Sequence, residues 1–294
     1  ANVTLDQNHR RAAGGHQTRS PKADNAAAND TNVECSAHAI LSVARTNGYH
    51  NRAALPLGRH DEAIVHEIDW DENETPLSRR FGDPFFSRSD GRAETRHVFL
   101  GGNGLPARWS SGGDFTIAEL GFGTGLNFLE TVSAWRQTAP AGARLTYVAF
   151  ERHPLARADL VRALARWETL SHRTGELAVH WPPEPGWSVI RFAEADLNIA
   201  IGDANELLPT WQGHADAWYL DGFSPAKNPD LWGTELMRHV FVHTNPGGTF
   251  ATFTAAGWVR RNLTSAGFIV EKVPGFGRKR ECLIGRRPTD DKGH

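Results

Sequence analysis

Residues 115–135 read FTIAELGFGTGLNFLETVSAW. An apolar run ends at Glu119-Leu120, glycines follow at 121, 123 and 125, and a helical pattern starts at Leu126. This is the pattern of a β-strand that turns through a glycine loop into an α-helix. Glycine is used in such a loop where the backbone must come close to something. The stretch therefore sets the fold class and raises the question of what lies against the loop.

The alternation repeats outward from it. RLTYVAFE (144–151) reads as a strand, and PLARADLVRALARW (154–167) as a helix with Pro154 at its start. LNIAIGD (197–203) reads as a strand, followed by the short ANELL. ADAWYLDGF (215–223) and GTFATFT (248–254) read as strands, each followed by a helix, DLWGTELMRHVFVHT (230–244) and GWVRRNLTSAG (257–267). FIVEKV (268–273) and ECLIGRR (281–287) close the pattern with no helix between them. The expectation is an α/β fold with a mostly parallel, doubly wound sheet of seven strands and an antiparallel hairpin at one edge. HEIDWDENETPLSRRFGDPFFS (66–87) reads as extended and turn-rich, and AETRHVFL (93–100) leads into the Gly/Pro-rich GGNGLPARW. Residues 66–110 are thus expected to form a small strand-rich extension, 111–287 the core and 288–294 a tail. Residues 1–33 hold almost no large apolar side chains, which predicts a disordered tail. Residues 34–65 are ambiguous, with HAILSVA (38–44) a candidate short helix.

Composition narrows the class. No apolar run approaches the roughly 18 residues of a membrane helix, and residues 1–33 contain no apolar segment of a secretory signal. Cys35 and Cys282 are too few for a disulfide framework and are expected to be reduced thiols in a cytoplasmic protein. The 14 histidines form no HExxH, HxH or Cys/His cluster, so no metal is expected. Net charge is −2, but residues 257–287 hold eight basic residues (Arg260, Arg261, Lys272, Arg278, Lys279, Arg280, Arg286, Arg287) against Glu271 and Glu281. Such a segment suits a polyanion; scattered surface arginines are the plain alternative.

In doubly wound sheets ligands bind beyond the carboxyl ends of the strands. Acids stand at four successive strand ends: Glu119, Glu151, Asp203 and Asp221. Singly, each reads as a cap or turn residue. Together with the glycine loop they suit an adenosyl ligand, with Glu151 at the ribose hydroxyls and Asp203 at the adenine amino group. A dinucleotide would prefer GxGxxG. Here Leu126 stands where the third glycine would be, and Glu119 would sit close to a pyrophosphate. S-adenosylmethionine carries a sulfonium and an ammonium, so acidic neighbours favour it. Candidate donor-binding residues are Glu119, Gly121, Phe122, Gly123, Thr124, Gly125, Asn127, Glu151 and Asp203. DAWYLDGFSPAKNPDLW (216–232) then supplies a rigid loop past Asp221, with Pro225 and Pro229. Phe223 and Trp232 are candidates to stack on a base, or else core residues. Lys227 is a candidate phosphate contact, or else a solvated lysine, and Asn228 offers a further donor.

FGDPFFS, ETRHVFL-GGNGLPARW, ELGFGTGLNFL, FERHPLARADL, DAWYLDGFSPAKNPDLW, GGTFATFTAAGWVRRNL and GFGRKRECLIG run in order from about residue 66 to 287. With these stretches the chain resembles the methyltransferase part of the MnmC family of tRNA wobble-uridine modification enzymes. The resemblance implies a Rossmann-like class I S-adenosylmethionine-dependent methyltransferase. It implies transfer of a methyl group to the amine of 5-aminomethyl-2-thiouridine at the tRNA wobble position, giving 5-methylaminomethyl-2-thiouridine. It places Gly121, Gly123 and Gly125 at the donor, Glu151 at the ribose, Asp203 near the adenine, and Asp221 at the family's active-site aspartate. Asp221 either accepts the amine's proton or only orients the amine. The basic residues Arg260, Arg278, Lys279 and Arg280 become candidate tRNA contacts. Many family members continue into an FAD-dependent oxidase domain. The chain ends about seven residues after the last matched strand, so no FAD is expected and a separate FAD-dependent or upstream enzyme would supply the substrate. Ser224 stands where alanine is usual in the family. Rival readings are a methyltransferase acting on a small amine, a non-catalytic tRNA-binding module and a nicotinamide-dependent oxidoreductase.

Overall fold

The computed structural model describes residues 66–289. They belong to the second of two units into which the chain divides, Leu57–His294. The tail expected over 1–33, the stretch 34–65 with Cys35, and the end of the C-terminal tail lie outside the described residues.

The first elements are β1 (Ile68–Trp70) and β2 (Pro76–Ser78), a short antiparallel pair. The chain then turns helical, through α1 (Gly91–Glu94), a π-helical turn (Thr95–Leu100), a 3-10 turn (Gly101–Asn103) and α2 (Ala107–Ser110). The expectation of a strand-rich 66–110 is therefore corrected over its second half. The Asp90 side chain caps α1 by accepting the Ala93 N–H at 3.1 Å. Val98, Phe99 and Leu100 are buried, and the Asn103 amide donates to the Trp218 carbonyl at 3.2 Å. Packing of this stretch onto the core overrides the strand preference of its β-branched and aromatic residues.

The core follows the β/α alternation: β3 (Phe115–Leu120), α3 (Leu126–Thr138), β4 (Leu145–Glu151), α4 (Arg157–Leu164) and α5 (Ser171–Val179). Next come β5 (Gly186–Arg191), β6 (Ala195–Ile201), α6 (Ala204–Leu207), β7 (Ala215–Leu220) and α7 (Thr234–Val242). The last are β8 (Thr244–Thr252), α8 (Gly257–Ala266), β9 (Ile269–Pro274) and β10 (Glu281–Arg286). The sheet has eight strands, in the order β5-β6-β4-β3-β7-β8-β10-β9, where seven were expected. The addition is β5, antiparallel to β6 at the far edge. β10 pairs antiparallel with both β8 and β9, so the expected closing hairpin is present.

Strand parity sorts side chains between two cores. Ile117, Tyr147, Ala217 and Tyr219 pack on one face with α3. Ala118, Leu120, Val148, Phe150, Trp218 and Leu220 pack on the other with α7 and α8. Each large apolar side chain buried this way contributes about 1.5–3 kcal/mol. Glu130 on α3 joins Arg92 (2.6 Å) and Arg96, tying the helical N-terminal stretch to the core.

Candidate active site

β3 lies between β4 and β7, and the chain winds outward from it on both sides. That is the switch point at which such sheets bind ligands. Register levels the strand ends. Leu120 stands opposite both Phe150 and Leu220, the Gly121 N–H donates to the Phe150 carbonyl at 2.9 Å, and the Gly202 N–H to that of Glu151 at 2.9 Å.

The glycine loop approaches two things. Gly121 has φ +83°, and a Cβ there would lie 3.0 Å from the Gly222 Cα, so this glycine admits the neighbouring strand's backbone. Gly123 has φ +54° and lines an open cavity, and its N–H donates to Glu151 Oε2 at 2.8 Å. The His153 N–H donates to Glu151 Oε1 at 2.7 Å. The loop thus orients a carboxylate instead of offering its N–H to a phosphate. Burial raises the Glu151 pKa, against the lowering by these backbone donors.

The cavity holds about 760 Å³, within the range of ligand sites. It brings together Gly121, Phe122, Gly123, Thr124, Asn127, Glu151, Asp203 and Asp221. Phe223, Asn228, Arg278 and Lys279 line it as well. Asp203 caps α6, accepting the Asn205 N–H at 2.9 Å, and pairs with Arg152 at 2.9 Å, so the cap reading holds for it alongside a place in the cavity.

Other expected residues do not line it. Glu119 is fully buried on the α3 face of β3, accepting from Asn127 Nδ2 at 2.7 Å and from the Tyr147 hydroxyl at 3.0 Å. Burial and then the nearby Asp221 charge raise its pKa well above the carboxylate range. Trp232 is a core residue at 1% exposure, its indole N–H donating to the Phe223 carbonyl at 3.2 Å, which corrects its expected role on a base. Lys227 lies outside the lining and donates to the Gly82 carbonyl and Asp83, pinning its loop to residues 82–83. Arg260 on α8 and Arg280 in the β9–β10 turn are exposed and lie outside the cavity. Gly125 lies behind the loop, where a Cβ would meet the Phe122 ring at 2.9 Å.

Asp221 is held on both carboxyl oxygens. Its Oδ1 accepts the Gly222 N–H at 2.8 Å and its Oδ2 accepts from Asn127 Nδ2 at 2.8 Å. Asn127 Oδ1 accepts from the Thr95 hydroxyl at 2.6 Å, which orients the amide so that Nδ2 faces both Glu119 and Asp221. Burial lifts the Asp221 pKa to about 7, with the Glu94 charge adding to the rise and the Gly222 and Asn127 donors and Lys279 opposing it.

Sequence reasoning missed one wall. Phe223 stacks on Phe81 at 4.6 Å between centroids and meets Phe85 edge-on at 5.2 Å, with His66 at 5.6 Å. Burial lowers the pKa of His66 and takes His153 to about 4, with the Arg80 charge acting in the same direction on both. The positive charge on this wall is the Arg80 guanidinium, 5.7 Å from the centroid of the Phe81 ring. The doubled phenylalanines of FGDPFFS were the available signal. The glycine loop, the carboxyl groups of Glu151, Asp203 and Asp221 and the aromatic wall suit an adenosyl ligand with cationic groups, in a cavity that Arg80, Arg88 and Arg152 also line.

Comparison with known proteins agrees. Residues 170–288 match a family model described as S-adenosyl-L-methionine-dependent methyltransferase. The chain is 50% identical over 229 residues to the tRNA 5-methylaminomethyl-2-thiouridine biosynthesis bifunctional protein MnmC of Pseudomonas aeruginosa, covering 74% of this chain and 34% of that protein. Over the matched residues the chain is a methyltransferase domain of the MnmC family. The MnmC of Chromohalobacter salexigens is 48% identical over 237 residues, covering 77% and 34%. The chain thus spans about a third of the length of the curated MnmC relatives it matches. The crystal structure of MNMC2 from Aquifex aeolicus shares the fold, with a TM-score of 0.61 at 21% identity over 78% of this chain and 73% of that one. Among the described residues no helix is long and apolar enough to cross a membrane.

Proposed function

We propose that this chain transfers a methyl group from S-adenosylmethionine to the amine of 5-aminomethyl-2-thiouridine at the tRNA wobble position, in the cytoplasm. The observation that carries this reading is Asp221, a carboxyl with a pKa of about 7 facing the same cavity as the glycine loop. The Gly121–Gly123 backbone, Glu151 and Asp203 hold the donor, and the Phe81–Phe85–Phe223 wall flanks the acceptor. The amine nitrogen forms a bond to the methyl carbon as the carbon–sulfur bond breaks, and sulfur keeps the electron pair. The nitrogen must shed a proton, and a base with a pKa near the working pH is suited to accept it. Asn127 and Gly222 fix the direction in which Asp221 points. The exposed Arg278 and Arg280 suit backbone phosphates, with base recognition left to the cavity. An upstream wobble-modification enzyme, or a separate FAD-dependent one, supplies the aminomethyl group.

The test mixes the protein with labelled S-adenosylmethionine and tRNA carrying 5-aminomethyl-2-thiouridine, followed by digestion to nucleosides. Label in 5-methylaminomethyl-2-thiouridine is the expected result. Donor binding with no label in tRNA would transfer the reading to a small-amine methyltransferase, and absent donor binding would overturn it altogether.

A further inference from the structure

Lys279 is an unusual member of the cavity lining. It sits in the turn between β9 and β10, flanked by the exposed Arg278 and Arg280, yet its ammonium reaches inward. Lys279 Nζ lies 3.1 Å from Glu94 Oε1 and 4.1 Å from the centroid of the Phe253 ring. Glu94 Oε2 accepts the Ser87 N–H at 3.1 Å, so one carboxylate oxygen is fixed by backbone and the other is left for a cation. The Glu94 side chain is 13% exposed and that of Lys279 is 46% exposed. The anion is therefore built into the wall, whereas the cation is reached from the surface. Glu94, Phe253 and Lys279 line the same cavity as Asp221, and the charge of Glu94 is felt at Asp221.

An alkylammonium held between a carboxylate and an aromatic face is what an alkylamine acceptor presents in its charged form, and what its methylated product presents after transfer. We infer that Glu94 and the face of Phe253 form the subsite for the acceptor's ammonium group, and that Lys279 occupies this subsite until a polyanionic backbone draws it out. The inference rests on the reading that the acceptor is an amine carried by tRNA.

Three physical points support it. A half-exposed lysine pair is held weakly, so exchanging Lys279 for another cation costs little. With Lys279 withdrawn, Glu94 is a mostly buried carboxylate with no other ion pair among the described residues, in the cavity that also holds Asp221, a state that favours entry of a cation. Lys279 is also adjacent in sequence to Arg278 and Arg280, so phosphates that engage the turn attract its ammonium too. The exchange couples engagement of the nucleic acid to opening of the amine subsite. The next residue, Thr95, holds Asn127 and through it Asp221, so subsite and carboxylate are set by adjacent positions of one turn.

The test uses Lys279→Ala and ethylammonium chloride as the probe, with binding followed by NMR. Saturable binding to Lys279→Ala is expected, at least tenfold weaker in Lys279→Ala/Glu94→Gln and in the wild type. Lys279→Met, which keeps the aliphatic stem, replaces the alanine variant if the melting temperature shows that alanine disturbs the turn. Equal binding to single and double variants, or none to a folded single variant, would overturn the subsite. A second arm compares tRNA with and without the aminomethyl group. Glu94→Gln should raise KM for the aminomethyl tRNA about tenfold and leave the affinity for the unmodified tRNA unchanged. An equal loss on both tRNAs would assign Glu94 a purely structural role. Failure of tRNA methylation itself would leave the ethylammonium result standing, so the two readings fail separately.

Discussion

Replacing Asp221 by asparagine should remove activity and raise stability, and the second effect depends on pH. The Asp221 carboxyl rises from an ordinary 3.8 to about 7 in the folded chain, chiefly through burial. A folded-state pKa above the unfolded one means that the contribution to stability is complete below about 3.8 and is lost as pH rises through about 7. At pH 8 the ionised wild type therefore carries a penalty of about 4 kcal/mol as an upper bound. The amide keeps an acceptor for the Gly222 N–H but meets the Asn127 donor with a donor of its own, which gives back about 1–2 kcal/mol. The net gain is about 2 kcal/mol, or roughly 4–8 °C in Tm for a chain of this size. Relief of the Glu119 carboxyl, which Asp221 pushes up, acts in the same direction. The assay is thermal unfolding of both proteins from pH 4 to 8. The variant should melt higher at pH 8, and the gap should close or reverse by pH 4. A gap that is constant across this range, or a variant less stable at pH 8, would refute the view of Asp221 as a buried carboxyl lifted to neutrality. Methyl transfer by the variant should fall by about 100-fold or more.

The other predictions concern its neighbours. Asn127→Leu removes a donor to Asp221 worth about 1.5–3 kcal/mol, so the acidic limb of kcat against pH should move up by about 1–2 pH units; an unmoved limb would detach Asn127 from the reaction. Trp232→Ala should cost about 3–5 kcal/mol in urea unfolding, because the ring is core; a near-neutral result would return Trp232 to the acceptor site. Arg278→Gln/Arg280→Gln should make the salt dependence of tRNA binding shallower by about 1.4–1.8 in log–log slope, and an unchanged slope would remove the turn from the interface.

The parallel core and the strand-end acids were legible because buried strands write themselves as short apolar runs and glycines punctuate their ends. β5 was not. Its residues alternate between half-buried and exposed along a sheet edge, and three prolines stand just before it at 182, 183 and 185. α5, with its polar start Ser-His-Arg, was missed for a similar reason. The helical 91–110 was obscured by Val98 and Phe99, although Asp90 in a capping position was readable. Proximity to the loop puts Glu119 among the donor-binding candidates. Parity would have placed it inward, since it shares a strand face with Ile117. Burial of Trp232 had no local signal, because a tryptophan in a proline-rich loop reads alike whether it faces solvent, ligand or core. The Thr95–Asn127–Asp221 chain joins three distant segments and is visible only once they are folded together.

The pairing of β3 with β7 has a consequence for how the chain acquires its site. β3 bonds to β4 across a short connection, but its other neighbour arrives only after an intervening stretch of roughly 90 residues has been ordered, a closure that costs entropy growing with the logarithm of its length. Gly121 and Asp221 flank that seam, so a refolding intermediate that has zipped β3 to β4 and β4 to β6 holds the glycine loop and Glu151 but not the Asp221 carboxyl. Recovery of methyl transfer should therefore lag behind recovery of helix content during refolding, with catalysis serving as the clock for the slowest long-range contact in the sheet.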